Sequence, residues 1–305
     1  MKQSPESGAS QSADNATGAA PVRSEVIDQQ LQAWRDRYAA NLSSDHGWWS
    51  VTTLDWLEQG DNLLGSSADA NLHLPPRLAE RAAVLNLTGD TVTVTPLDAK
   101  IMVNGTQLSE PIRVTKGTQL FIAEQGGGPA LHRQLPDVRA DITFRADLVG
   151  VRVRDPQAAA RRDPSSEIAW FLPDHTWRLP AALLPPQREE LVAITNRIGQ
   201  TALEPVIGRV AFEVAGEHYE LLATQGGKGK LFINFKDATN GMRNGAHTYP
   251  GGRFINIDPP VDGRITIDFN YAHHPPCAHT PYATCPMPTP TNTLPFAVLA
   301  GERSA

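Results

Sequence analysis

From Asp61 to Asp155 the chain repeats one device, a short apolar run closed by a turn. Thr91-Val92-Thr93-Val94-Thr95 alternates strictly, which puts its valines on one face of a half-buried strand. Val84-Leu85-Asn86-Leu87 runs into the turn Thr88-Gly89-Asp90, and Ile101-Met102-Val103 meets Asn104-Gly105, a strong hairpin signal. Leu63-Leu64-Gly65-Ser66, Asn71-Leu72-His73-Leu74, Gly117 to Ile122 and Val149 to Val153 bring the set to six or seven strands. Runs this short exclude long helices and predict a β-sandwich over residues 59–155. The pattern returns in residues 201–305. Arg209 to Val214 and His218 to Leu222 flank Ala215-Gly216-Glu217, followed by Lys230 to Phe235, Arg253 to Ile257 and Arg264 to Phe269. This half reads as a second antiparallel β domain, so the fold class is mainly β.

The exception lies at the start. Glu25 to Leu42 reads as an amphipathic helix with Leu31, Trp34, Tyr38 and Leu42 on one face and Arg35, Asp36 and Arg37 mostly off it. Ser24 is the predicted N-cap. Trp48, Trp49, Leu54, Trp56 and Leu57 complete a helix-and-aromatic-anchor segment, residues 24–58. Residues 1–23 form a small, polar tail with no apolar run, predicted to be disordered. Residues 156–200 are rich in Ala, Pro and Arg and are expected to be an irregular connector. The loop Glu124 to Gln134, with Gly126-Gly127-Gly128, is expected to be flexible; no helix follows it, so it is a poor phosphate loop.

Charge and hydropathy exclude several classes. Against 33 acidic residues stand 27 Lys and Arg, a net charge of −6, which argues against nucleic acid as a partner. No run approaches the roughly 20 apolar residues of a transmembrane helix, and the tail lacks the apolar core of a signal peptide. A Ser/Gly/Ala-rich tail ahead of a folded domain also matches a processed lipoprotein, whose native precursor would carry a lipid anchor. Periplasmic or envelope-anchored and cytoplasmic locations therefore both stand.

Polar residues gather at strand ends in the last seventy residues. Lys236, Asp237 and Thr239 follow one strand, Tyr249 precedes Arg253, and Asp268 and Asn270 end another. Asp237, Arg253, Asp268 and Asn270 are the candidate catalytic set, with Arg253 for an anionic or carbonyl group and an aspartate as base or orienter. Lys236, Thr239, Tyr249 and Tyr282 are candidate ligand-binding residues. The competing reading has Asp237 and Thr239 closing a turn and Arg253 pairing with Asp268.

The segment His273 to Pro286 holds three His and two Cys. Its spacing matches no zinc pattern, so no metal or other cofactor is expected. Cys277 and Cys285 can form a disulfide closing a nine-residue loop, remain two buried thiols, or supply a nucleophile.

Together these strings carry a resemblance. Phe235-Lys236-Asp237-Ala238-Thr239-Asn240-Gly241, Thr248-Tyr249-Pro250-Gly251-Gly252-Arg253-Phe254, Asp268-Phe269-Asn270, Pro275-Pro276-Cys277, Thr280 to Pro286, Asn292 and Ala300-Gly301-Glu302 resemble domain-of-unknown-function family 1684 of bacteria. Gly47-Trp48, Trp56-Leu57-Glu58, Leu64-Gly65-Ser66 and Val151 to Asp155 extend it toward the N-terminus. Some members resemble exported lipoproteins, which implies an envelope location. His273, His274 and His279 stand where the family more usually has Tyr, Asn and Phe, which argues against a shared metal site. Met242 to His247 lengthens a link that is short in the family. The N-terminal sandwich also faintly resembles forkhead-associated domains through Leu64-Gly65-Ser66, Leu72-His73-Leu74 and Asn104-Gly105. Ser66 replaces the arginine expected there, so phosphopeptide binding lacks its charge-assisted contact.

Two functions follow as expectations. One is a small-ligand-binding or hydrolase-like polar site in the C-terminal domain. The other is a non-catalytic envelope or interaction module whose motif residues are structural. No feature of the sequence sets the oligomeric state.

Overall fold

A computed structural model describes residues 20–123, 137–241 and 247–305. Helix α1 spans Ala20–Ser43. Ser24 therefore lies inside the helix, and the expected cap is corrected. The predicted face holds, with Leu31 and Leu42 buried and Trp34 and Tyr38 half-buried. Arg35 departs from expectation: it is 8% exposed, donates from Nη2 to Phe171 O at 3.2 Å and lies 4.7 Å over the Trp170 ring. Its planar cation stacks where an ammonium would be desolvated without a partner. Among the described residues no helix is long and apolar enough to cross a membrane.

The N-terminal domain is a sandwich of two sheets. One runs in the order β1 (Val51–Trp56), β11 (Leu148–Arg154), β10 (Val138–Arg145), β9 (Gln119–Ile122), β6 (Ile101–Val103) and β7 (Thr106–Gln107). The other runs β3 (Leu72–His73), β2 (Gly60–Gly65), β4 (Ala83–Thr88), β5 (Thr91–Pro96) and β8 (Ile112–Val114). Alternation does the work expected of it. Val92 and Val94 are fully buried between partly exposed threonines, and Leu85, Ile101, Leu120 and Ile142 join them in the core. Strand β1 arises from the segment read as an aromatic anchor. The anchor itself forms at Trp49, 2% exposed among Leu42, Ala159 and Ile168.

The expected irregular connector is corrected. It begins with two short helices, α2 (Pro156–Ala160) and α3 (Pro164–Glu167), but then supplies β12 (Ala169–Trp170), β13 (Arg178–Leu184) and β14 (Leu191–Thr195). β13 enters the second sheet, ordered β18 (Arg253–Ile257), β17 (Leu231–Phe235), β16 (Glu217–Gln225), β15 (Thr201–Val214), β13 and β19 (Ile265–Asp268), with β14 pairing on β15. Strands β18 and β19 meet, so the sheet curls into a nearly closed barrel around Phe212, Leu221, Ile233, Phe235, Ile267 and Phe269. Finally β20 (Glu302–Arg303) pairs with β12. Residues 1–19, 124–136 and 242–246 lie outside the described residues, which takes in the loop Glu124 to Gln134, most of the loop Met242 to His247 and most of the expected tail, whose residues 20–23 belong to α1.

Candidate functional site

The four candidate catalytic residues divide between two places. Arg253 and Asp237 form one. Phe235 and Arg253 face each other across β17 and β18, and this register carries the guanidinium into the barrel interior. Gly252 allows the approach. It holds φ +90°, and a Cβ there would come within 2.6 Å of Phe235 O. Arg253 Nη2 donates to Asp237 Oδ2 at 2.6 Å and Val298 O at 2.9 Å, and Nη1 donates to Ala300 O at 2.5 Å. Both charged side chains are 0% exposed. Asp237 Oδ1 accepts from Thr239 N and Oγ1 at 2.8 and 2.6 Å, and from Val298 N at 3.3 Å. Thr239 Oγ1 also lies 2.8 Å from Thr248 Oγ1, and Asn240 Nδ2 donates to Thr248 Oγ1 and Tyr249 O. Burial lowers the Arg253 pKa and Asp237 opposes that shift. Within this network Arg253 Nε alone is buried without a partner, and neither charge faces solvent.

Asp268 and Asn270 form the other place. The expected Arg253–Asp268 pair is corrected, because Asp268 Oδ2 faces Arg178 Nε at 3.5 Å. Asp268 Oδ1 accepts from Asn270 N and Nδ2, and Asn270 exchanges two hydrogen bonds with the Asp174 backbone. Among the described residues no hydrogen bond or ion pair joins this group to Asp237 and Arg253. The remaining candidates are largely in structural contacts. Lys236 forms backbone bonds to Asn292 and Leu294, Tyr249 Oη donates to Cys277 O at 3.2 Å, and Tyr282 O accepts from Arg152 Nε at 3.3 Å.

A third polar group escaped the sequence reading. Tyr38 Oη lies 2.9 Å from Glu302 Oε2 and 3.1 Å from His279 Nε2, satisfied when tyrosine donates to the carboxyl and accepts from the imidazole N–H. His274 N donates to Glu302 Oε2 at 2.7 Å, and Tyr249 N donates to His274 Nε2 at 3.1 Å. Gly301 places this carboxyl. At φ +80° its Cβ would sit 2.3 Å from Ala272 O, so only glycine fits. Burial pushes Glu302 up to about 7 and drives His273 and His279 down to about 4. His274 is lowered too, by burial and then by neighbouring cations. The signal available was the clustering of His273, His274 and His279; the carboxyl that meets His274 and His279 lies 23 residues beyond His279. Among the described residues no group of three or more His, Cys, Asp or Glu is arranged to hold a metal.

The open site lies next to these clusters. A groove of about 1110 Å³ runs between α1 and the β18–β19 seam. Gln30, Trp34, Arg37, Tyr38 and Asn41, one helical face, form one wall; Ile255, Asn256, Ile265 and Thr266 form the other. Its floor is aromatic. Trp34 stacks on Tyr38 at 5.6 Å, and Tyr271 and His273 approach Trp34 at 5.1 and 5.6 Å. Five cations line it, of which Lys230 pairs with Asp258 at 2.8 Å and Arg178 with Asp268 at 3.5 Å. Arg37, Lys228 and Arg264 have no ion pair among the described residues. Lys228 also holds a left-handed φ of +56°, which costs a non-glycine residue about 1 kcal/mol. Asp268 is the one candidate catalytic residue in this groove, and burial raises its pKa against the pull of Asn270 and Arg178.

Cys277 and Cys285 are unbonded thiols, 5% and 6% exposed, in a small apolar cluster with Phe254 and Ala283.

Residues 166–303 match a family described as "Protein of unknown function (DUF1684)". The solution NMR structure of an uncharacterised protein from Haloarcula marismortui is 30% identical, over 49% of this chain and 80% of that one, with a TM-score of 0.38. Comparison with curated proteins finds no match.

Proposed function

This chain belongs to the DUF1684 family of proteins of unknown function, and from that premise we propose that it binds an anionic small molecule with a flat apolar body in the groove beside α1. The carrying observation is an aromatic floor rimmed by three cations without ion pairs among the described residues, on a protein of net charge −6. Exposed cations without ion pairs around one groove attract an anion into it. Arg37 and Arg264 offer planar donors to a carboxylate, phosphate or sulfonate. Trp34 and Tyr271 present ring surface to an apolar body, and Asp268 beside Arg178 sets its orientation by a hydrogen bond. At about 1110 Å³ the groove has room for a molecule of drug-like size.

The motif residues support a second, compatible statement. Asp237, Thr239, Thr248 and Arg253 bond one another and leave only Arg253 Nε unpaired, which supports a structural network over a reacting site.

Titration calorimetry with 1-naphthalenesulfonate tests the proposal, with neutral naphthalene-1-sulfonamide as the control. The sulfonate is expected to bind more tightly than the sulfonamide, to weaken with added salt, and to weaken in the double variant Arg37→Ala/Arg264→Ala. Equal affinity for the two compounds, or an unchanged affinity in the double variant, overturns it.

A further inference from the structure

The loop that carries the two cysteines is held from both domains. From the sandwich, Arg145 Nε donates to Thr284 Oγ1 at 3.0 Å and Arg152 Nε donates to Tyr282 O at 3.3 Å. From the turn between β14 and β15, Arg197 Nη1 donates to Cys277 O at 3.2 Å and Arg197 N donates to Cys285 O at 2.9 Å. The cysteines thus mark the two ends of the clamped stretch. Their side chains are adjacent: Cys285 Sγ accepts the backbone N–H of Cys277 at 3.2 Å, and both thiols sit in one apolar cluster. Phe232, Phe254, Ala283 and Trp48 close around them.

We propose that Cys277 and Cys285 are a modification site for thiol–disulfide exchange, closed to an intrachain disulfide by an exchanging disulfide such as an oxidised dithiol protein or oxidised glutathione. The Cys277 thiolate attacks one sulfur of the incoming disulfide, whose S–S bond breaks and releases a thiolate. That thiolate takes a proton from Cys285. The Cys285 sulfur then attacks Cys277 in the mixed disulfide, forming the internal bond and expelling the second thiolate, which takes up the proton lost by Cys277. Two electrons pass to the exchanging disulfide, which ends as two thiols.

The surroundings order the steps. The hydrogen bond with Cys285, then the Tyr249 hydroxyl and Arg197, hold Cys277 down at about 7 against the effect of burial, whereas the same thiol contact and burial push Cys285 up. Cys277 is therefore the attacking sulfur. At 5% and 6% exposure neither sulfur meets a macromolecular partner in the closed fold. Exchange belongs to a late stage of folding or a local opening in which Arg197 and Tyr249 still flank Cys277, and the docked loop then shields the bond. The bond fixes a nine-residue loop against which Arg145 and Arg152 dock.

The full chain, denatured and reduced, is refolded with a glutathione redox pair and, separately, in dithiothreitol. Oxidising refolding is expected to remove the mass of two hydrogen atoms and leave no thiol for alkylation after denaturation. It is also expected to raise Tm by about 5 °C. The Cys277→Ser/Cys285→Ser variant is expected to lose that redox-dependent shift; if it does not fold, mass and alkylation of the unaltered chain decide. Two alkylatable thiols after oxidising refolding, or a glutathione adduct on each cysteine, overturns the site. An internal bond with no rise in Tm overturns its role in fixing the loop.

Discussion

The barrel interior and the groove outside it hold similar chemistry in opposite states. Inside, Arg253 meets Asp237 and two backbone carbonyls, with both charges at 0% exposure. Outside, Arg37, Lys228 and Arg264 stand around an aromatic floor with no ion pair among the described residues. Polar density in the sequence is greatest for the first region. Open, unpaired charge among the described residues is found in the second. A buried polar group must be satisfied by the fold itself, so a dense motif reports how a loop is held as readily as what it binds.

Removing one member of the buried network is expected to have the largest effect. Arg253→Met leaves the Asp237 carboxylate buried without a cation and should cost about 3–5 kcal/mol in urea unfolding. Affinity for 1-naphthalenesulfonate in the surviving folded protein should be unchanged; a parallel loss would break the distinction between the two regions.

Acid comes next. Burial holds His273 and His279 at about 4, so their contribution to stability is present above 6.5 and lost as pH falls toward 4. Glu302, raised to about 7, acts in reverse: its contribution is present below 4.5 and lost as pH rises toward 7. Between pH 6.5 and 4.5 the unfolded chain therefore comes to hold two protons on these groups where the folded chain holds one. Stability should fall by about 3 kcal/mol across that window, and His274 adds in the same direction. Glu302→Gln removes the opposing proton and should steepen the slope; a flatter profile, followed by thermal unfolding at each pH, would contradict the assignment.

Asn292→Ala should cost about 2 kcal/mol. Its amide bridges two strands, accepting from Leu222 N and donating to Leu222 O and Asn234 O at 2.7, 2.9 and 3.0 Å. The smallest change in stability belongs to the groove. Arg37→Ala/Arg264→Ala should leave unfolding within about 0.5 kcal/mol while weakening the sulfonate about tenfold, or 1.4 kcal/mol. A stability loss matching that of Asn292→Ala would make these arginines structural and collapse the comparison.

Legibility followed the range of the interaction. The valines of β5 and the hairpin at Asn104-Gly105 could be read because alternation and turn chemistry act between neighbours. β13 was hidden by Pro180, by Pro185 and Pro186 just past its end, and by partners far along the chain, Leu179 opposite Ile267 and Leu183 opposite Val210. Asp237, Arg253, Asp268 and Asn270 were found as strand-end residues, but nothing in their spacing told which would pair. Trp34 and Tyr38 read as core residues and Arg37 as lying off their face, since the strands that join all three in one groove arrive more than two hundred residues later.

The sequence by itself determined the β-rich class, the strands of alternating pattern and the family strings, all local properties of the chain. That Arg253 answers Asp237, that Glu302 meets His274 and His279, and that three cations rim one groove came only with the packed fold. Desolvation and charge pairing depend on which distant residues arrive alongside, and that is settled only when the barrel closes and α1 docks on its seam.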